Sequence, residues 1–235
     1  MLNPALDPAA FAQRFAMERR LQIRGIFAPE AAERIHTCLS RETPWSLLYN
    51  DGEKIARLSP EQLRAMPAPE KSARATGVLQ RARGAFQYVY NSYQTVESYL
   101  ARKDPGLFLH TVYEYCNSPE MLDFLRAATG IPELLKCDSQ ATLYAPGHFL
   151  KAHDDDVNER SHRRIAYVLG FAKDWDPDWG GILQFYDQEH NVTHAMVPRF
   201  NVLSIFSVPQ FHAVSYVVPY APIGRYSITG WYVDK

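Results

Sequence analysis

The sequence has 235 residues, of which 46% are hydrophobic and 22% are charged, and its formal net charge is −1. This length allows a large domain with a sizeable core, and the near-neutral charge provides no basic field that would favour nucleic acid or an anionic membrane. Three cysteines without a C-x-x-C pair argue against a disulfide framework and favour the reducing cytoplasm. No apolar run approaches the length of a membrane span, so no membrane partner is expected.

The first half of the chain reads as helices interrupted by short strands. Asp7-Pro8 is typical of a helix start, Asp51-Gly52 predicts a hairpin turn, and residues 67–71 (PAPEK) predict an exposed loop. The predicted helices cover residues 9–20, 28–42, 106–116 and 118–129, and the predicted strands cover residues 21–27 and 44–50.

A tyrosine-rich segment lies inside a region, residues 73–103, that is read as partly helical. Residues 85–93 (AFQYVYNSY) contain Tyr88, Tyr90 and Tyr93. Burial in the core is the favoured interpretation, because aromatic rings contribute mostly through burial. The alternative is a rim that holds an extended, proline-containing peptide, with Tyr90 and Tyr93 as substrate contacts.

From Leu134 onward the hydrophobic pattern has period two and continues to the end of the chain. Short strands without a long helix predict a closed or sandwiched antiparallel β domain. The predicted fold class is α+β, a single domain with a mainly helical support and substrate-side region at residues 1–133. A C-terminal double-stranded β-helix, or jelly roll, forms the catalytic core at residues 134–235.

Candidate metal ligands occur within that second half. His153 and Asp155 are two residues apart, so on a strand they point to the same face, and His212 lies in another strand-like segment. Asp154 and Asp156 compete with Asp155 in composition, and the period of two favours Asp155. Two histidines and one carboxylate leave metal positions open, the pattern of non-haem Fe(II) oxygenases.

Arg225 follows His212 in the segment RYSITGWYV. Alternation places Arg225, Ser227, Thr229 and Trp231 on one face of that strand. A buried arginine beside a metal requires an anion, and its planar fork suits a carboxylate. A dicarboxylate that chelates iron at one end and pairs with Arg225 at the other satisfies both requirements.

These residues, together with Tyr144, Gly180-Gly181 and the segment KDWDPDWGGILQFY, resemble the 2-oxoglutarate and Fe(II)-dependent prolyl hydroxylases. The similarity covers about residues 140–235 and is greatest to the hypoxia-inducible-factor and ribosomal-protein prolyl 3-hydroxylase branch. It implies Fe(II) as cofactor, 2-oxoglutarate as co-substrate and ascorbate as an optional reductant. It also implies that Tyr144 hydrogen-bonds the co-substrate beside Arg225, with Ser227 and Thr229 as further hydroxyl groups.

Arg164 occupies a position where several relatives carry a basic residue. Two interpretations remain equal at this point: Arg164 orients the substrate backbone, or it pairs with a nearby carboxylate.

The leading functional hypothesis is hydroxylation of a prolyl residue in a protein or peptide, including a ribosomal or translation protein, with no direct nucleic-acid partner. A second hypothesis is hydroxylation of a free amino acid or small metabolite by the same chemistry. A third is a non-catalytic jelly-roll binding module, which the joint presence of His153, Asp155, His212 and Arg225 disfavours.

Overall fold

The computed structural model describes residues 1–52, 54–155 and 162–235. Within these ranges the α-helices are α1 (Ala9–Glu18), α2 (Pro29–Thr37), α3 (Pro60–Ala65), α4 (Ala68–Ala82), α5 (Thr95–Leu100), α6 (Phe108–Cys116) and α7 (Pro119–Thr129). A π-helical turn, Cys38–Glu42, extends α2, and a 3-10 turn covers Pro177–Trp179. None of the described helices is both long and apolar enough to span a lipid bilayer.

The strands of the described ranges form one sheet with antiparallel pairings. They are β1 (Arg20–Arg24), β2 (Ser46–Asp51), β3 (Lys54–Leu58), β4 (Tyr88–Tyr93), β5 (Lys136–Cys137), β6 (Gln140–Tyr144), β7 (Phe149–His153), β8 (Arg163–Phe171), β9 (Leu183–Tyr186), β10 (Val192–Met196), β11 (Phe200–Ser207), β12 (His212–Val214) and β13 (Arg225–Val233).

The strand order β1-β11-β8-β13-β6-β4-β7-β12-β9-β10 makes the sheet curl back on itself. Residues of β6, β8 and β13 and residues of β7, β9 and β12 line the same interior cavity. This nearly closed antiparallel barrel is the jelly roll that the period-two pattern predicts. Strands from the first 133 residues join the same sheet, because β1 pairs with β11, and β4 links β6 to β7.

The largest hydrophobic cluster lies between the N-terminal helices and the outer face of the β11-β8-β13 side. Phe15 of α1, Ile35 of α2 and Leu125 of α7 pack there with Ile205 of β11 and Tyr232 of β13, all of them at most 1% exposed. The helices therefore cover one wall of the barrel, and the opposite face of the same strands is left to line the cavity.

One prediction from the first half is wrong. Residues 67–71 are not a loop but contain the start of α4, because a proline in the first helical turn loses no hydrogen bond and has the right φ. The region 73–103 is helical in parts, as predicted, and its tyrosine-rich segment forms strand β4 between α4 and α5, since aromatic and β-branched residues suit a half-buried pleated surface.

Candidate metal centre and co-substrate pocket

Strand pairing brings the three predicted metal ligands together. His212 lies directly opposite His153 in the β12–β7 ladder, and Asp155 follows two residues after His153. Asp155 Oδ1 is 3.5 Å from His153 Nε2, and Asp155 Oδ2 is 3.7 Å from His212 Nε2. One ligand atom from each residue lies within 4.8 Å of the others, which allows a single ion to contact all three.

Backbone carbonyl groups orient both imidazole rings. His153 Nδ1 lies 3.0 Å from the Lys151 oxygen, and His212 Nδ1 lies 2.8 Å from the Gln210 oxygen. Only a protonated Nδ1 can donate to a carbonyl, so each ring presents the lone pair of Nε2 toward Asp155. Hydrogen bonds of this kind fix the tautomer and direction of histidines that bind metals.

Burial and charge favour the ligand-competent forms of these groups. Burial lowers the pKa of His212, which keeps its imidazole neutral near pH 7. Burial raises the pKa of Asp155, but the adjacent His153 and His212 side chains outweigh that effect and leave this pKa below its ordinary value. Asp154 is exposed, in line with the choice of Asp155, and Asp156 lies outside the described residues.

The donor set fits a ferrous ion. Two neutral imidazoles and one carboxylate on one side leave the remaining positions open toward the cavity, as in the facial triad of non-haem Fe(II) oxygenases. All three cysteines are unpaired and buried, and no cysteine belongs to the cluster of ligands within the described ranges, which distinguishes it from a closed structural zinc site.

Arg225 lies at the inner end of the same cavity. Only 5% of its surface is exposed. Arg225 pairs with Tyr144 in the β13–β6 ladder, and its guanidinium carbon is 5.1 Å from the centre of the Tyr144 ring. Among the described residues, no carboxylate forms an ion pair with it. A buried guanidinium without a protein anion fits a carboxylate that arrives with a ligand.

Tyr144 stays protonated beside this cation. Burial raises its pKa well above the ordinary tyrosine value, although Arg225 opposes the shift. A protonated hydroxyl group can donate a hydrogen bond to an anion bound at Arg225, so the predicted role of Tyr144 is compatible with this geometry.

Gly180 and Gly181 allow the neighbouring loop to approach this site. Gly180 has φ +72°, and a Cβ atom there would overlap the Tyr216 carbonyl oxygen. Gly181 has φ +63°, and its Cβ would lie 3.4 Å from Arg225 Cδ. The close packing that the glycine pair predicts is present.

The two hydroxyl residues on the arginine's strand have different surroundings. Ser227 is buried, and its hydroxyl lies 2.8 Å from the Thr142 hydroxyl in a side-chain pair that satisfies both. Thr229 lines the cavity farther from Arg225. Their assignment to the co-substrate stays a prediction.

The cavity between the two faces of the barrel has a volume of about 660 Å³ and contains the metal ligands, Arg225 and Tyr144 in its wall. Tyr90 lines it and stacks on Tyr144 with ring centres 5.1 Å apart. Tyr93 points to the other side of β4, into the helical core, where its hydroxyl hydrogen-bonds Asp104 at 3.1 Å. Tyr93 is therefore a core residue. Of these two tyrosines, Tyr90 is the one in a position to contact a substrate in the cavity.

Arg164 points away from the cavity. Its Nε lies 3.6 Å from Asp234, and its side chain is 48% exposed, which agrees with the carboxylate-pairing interpretation. Its neighbour Arg163 lines the cavity instead; the Arg163 guanidinium lies 3.7 Å from the Trp231 ring centre and donates to the Asp155 carbonyl oxygen at 2.9 Å. The alternation of strand β8 was the signal that separates these two arginines.

Comparison with known proteins agrees with this geometry. Residues 139–233 match the family model of the 2OG-Fe(II) oxygenase superfamily, whose name states the co-substrate and the metal. Over 116 residues, 46% of this chain, the sequence is 33% identical to mouse prolyl 3-hydroxylase OGFOD1. The matched part is 21% of that relative, so the chain spans about a fifth of the relative's length.

Solved structures show the same fold across nearly the whole chain. A prolyl hydroxylase from Trichoplax adhaerens, in complex with a hypoxia-inducible-factor peptide, superposes with a TM-score of 0.62 at 16% identity and covers 96% of this chain and 89% of its own. A Burkholderia pseudomallei 2OG-Fe(II) oxygenase family structure gives 0.63 at 12% identity, covering 100% and 94%. A Pseudomonas putida prolyl-4-hydroxylase gives 0.53 at 18% identity, covering 97% and 99%.

Proposed function

We propose that this chain, whose residues 139–233 form a 2OG-Fe(II) oxygenase domain, hydroxylates a prolyl residue of a protein or peptide substrate. Bound Fe(II), 2-oxoglutarate and O₂ supply the oxidising chemistry, in which one oxygen atom enters a C–H bond to give C–OH and the other enters succinate, with release of CO₂. The chain itself supplies the ligands, the anion site and a cavity for the substrate.

The observation that supports the proposal is that the ligand cluster and the buried arginine line one cavity. His153, Asp155 and His212 would hold the iron, while Arg225 and Tyr144 would hold the far carboxylate of 2-oxoglutarate. A metal and a cation in one enclosed cavity suit a ligand with an anionic group at each end.

The substrate side of the cavity is aromatic. Ring centres are 5.8 Å apart for Phe86 and Tyr88, 5.7 Å for Tyr88 and Tyr90, and 5.1 Å for Tyr90 and Tyr144, so a row of rings runs from the surface to the co-substrate end. Phe86 is 44% exposed and its ring centre lies 5.5 Å from that of His153. Aromatic surfaces of this kind suit proline rings in extended peptides.

The relatives support the substrate class. The mouse relative is a prolyl 3-hydroxylase, and the Trichoplax prolyl hydroxylase was solved in complex with a hypoxia-inducible-factor peptide fragment. We propose a protein of the ribosome or of translation as the target, and the cytoplasm as the location, to which three unpaired, buried cysteines are suited.

The test combines purified protein with Fe(II), ascorbate, 2-oxoglutarate, ¹⁸O₂ and an array of proline-containing peptides from ribosomal and translation proteins. The expected result is a one-oxygen, ¹⁸O-labelled mass increment on proline and an equal amount of succinate. Oxygen in free amino acids, with none in any peptide, would contradict the proposal and establish the small-metabolite hydroxylase instead. Absence of 2-oxoglutarate-dependent succinate with every substrate would contradict both.

A further inference from the structure

A cluster of uncharged polar side chains lies in the cavity wall beyond the metal centre. Gln94 and Gln140 both line the cavity, and Ser92 is buried behind them. Amide groups in the wall of a largely aromatic cavity require hydrogen-bond partners, so the atoms that the protein satisfies can be separated from those that it leaves for a ligand.

The protein satisfies one end of each amide. Gln94 Nε2 donates to Ser92 Oγ at 2.7 Å and to Gln140 Oε1 at 2.9 Å, and these two bonds use both of its hydrogens. Ser92 Oγ donates to Gln140 Oε1 at 3.1 Å. Gln140 Oε1 thus accepts two hydrogen bonds, which fixes the orientation of its amide.

The remaining atoms face the cavity. With Oε1 held by Gln94 and Ser92, Gln140 is left with its Nε2 group as a free donor, because the described residues provide no acceptor for it within hydrogen-bonding distance. Gln94 Oε1 likewise receives no hydrogen bond from the residues that the structure describes. The cluster therefore offers one donor and one acceptor side by side.

The backbone of an extended peptide is the complementary ligand. In an extended chain the N–H and C=O of one residue point to the same side, and they could satisfy the free acceptor of Gln94 and the free donor of Gln140 together. The place is suitable, because Tyr90 stacks on Tyr144 at the co-substrate end and lines the same cavity as Gln140. Thr229, opposite Gln140 in the β6–β13 ladder, lines the same part of the cavity.

We propose that Gln140 and Gln94 hydrogen-bond the backbone N–H and C=O of a residue next to the target proline, and that this contact selects proline within a chain over free proline. The inference rests on the proposed prolyl hydroxylation and states which residues determine its substrate class. Free proline has no neighbouring residue whose N–H and C=O could occupy this position, so it lacks the contact that the two glutamines would give a peptide.

The test uses the peptide that the wild-type protein hydroxylates best in the array, and the variants Gln140→Met and Gln94→Met. Each variant removes the free group and keeps a side chain of similar length. A neutral hydrogen bond contributes about three- to tenfold, so KM for the peptide should rise by about that factor, whereas KM for 2-oxoglutarate should change less than twofold. A general distortion of the barrel would raise both KM values.

A second measurement identifies the bond. In peptides whose amides around proline are replaced one at a time by esters, the N–H donor is lost. One such ester should raise the peptide KM of the wild-type protein but not that of Gln94→Met. The effects of the ester and of the substitution on KM are then not additive. Gln184→Met is the matched control, because Gln184 lies on β9, hydrogen-bonds Tyr186 and lines a groove on the outside of the barrel.

The outcomes separate the two levels of the proposal. If no peptide is hydroxylated by the wild-type protein, the proposed function itself fails. If peptides are hydroxylated but both glutamine variants keep the wild-type peptide KM, the function stands and the amide-reading role is refuted. The amide-reading role would also be refuted if every ester position were equally non-additive with Gln94→Met, or if the control Gln184→Met showed the same non-additivity.

Discussion

Replacement of Arg225 by methionine should separate stability from co-substrate binding. The guanidinium is buried, burial lowers its pKa despite the opposing effect of Tyr144, and no carboxylate of the described residues forms an ion pair with it. Its desolvation is therefore not compensated by the protein alone. Arg225→Met removes this charge and keeps an apolar stem of similar length against Tyr144.

The expected magnitudes have opposite signs. An uncompensated buried charge costs several kcal/mol, whereas the contact of Arg225 with the Tyr144 ring contributes about 1–2 kcal/mol. In the absence of co-substrate, the substitution should therefore raise the free energy of unfolding by about 1 kcal/mol or more. Losing one partner of a buried ion pair costs about 3–5 kcal/mol, which corresponds to a loss of 2-oxoglutarate affinity between about 10²-fold and several thousandfold.

Both quantities can be measured on one preparation. Urea unfolding without co-substrate gives the stability, and calorimetric titration of the Mn(II)-loaded protein with 2-oxoglutarate gives the affinity without turnover. Arg164→Met is the matched control, because Arg164 is an exposed arginine paired with Asp234, and it should leave the affinity unchanged.

Two results would refute this reasoning. Unchanged 2-oxoglutarate affinity in Arg225→Met would show that the anion binds elsewhere. A fall in stability of several kcal/mol without co-substrate would show that the guanidinium already has a compensating partner within the protein.

Three further changes test the site and its surroundings. His212→Ala removes a ligand and should lower metal affinity more than about tenfold with the fold intact, as measured by Mn(II) titration and circular dichroism. Gly180→Ala should lower the free energy of unfolding by about 2–4 kcal/mol in urea, because its φ is +72° and the added Cβ overlaps a backbone oxygen. Burial lowers the pKa of His148 to about 4, below its unfolded value of 6.5, so stability present above pH 6.5 should be lost as the pH falls toward 4. The loss should reach about 2 kcal/mol between pH 7 and pH 5, and His148→Asn should remove it.

Each change has a control or a contradicting result. His194→Ala alters a half-buried histidine outside the ligand cluster and should keep metal affinity, so equal losses in both variants would argue against His212 as a ligand. Gly84→Ala adds a Cβ with no atom within 4 Å and should change stability little. If His148→Asn and the wild-type protein lost stability equally between pH 7 and pH 5, His148 would not be the titrating group.

Local spacing within a strand could be read without the fold. The period of two predicts that His153 and Asp155 share one face of their strand and that Arg225 and Thr229 share one face of theirs. All four residues line the cavity. The period is a property of the extended backbone itself, so consecutive residues of one strand carry that information.

The local pattern was less reliable where the same residues are compatible with two different local structures. Proline clusters occur in loops and in first helical turns, and residues 67–71 belong largely to the second case in α4. The segment Tyr88–Tyr93 received no element assignment from the sequence, although its aromatic and β-branched composition suits the strand that it forms. These choices depend on which surface is available for packing.

The chemical inventory can be read from the linear order of residues: a histidine–carboxylate pair at strand spacing, a distant histidine, an arginine on an alternating strand, and a C-terminal half built of strands. Which distant groups meet depends on the fold. The register of β12 against β7 sets His212 opposite His153, and the link through β4 brings Tyr90 beside Tyr144 and Gln94 beside Gln140. Such contacts join residues far apart in the chain, and they depend on the register of strand ladders that no local pattern specifies.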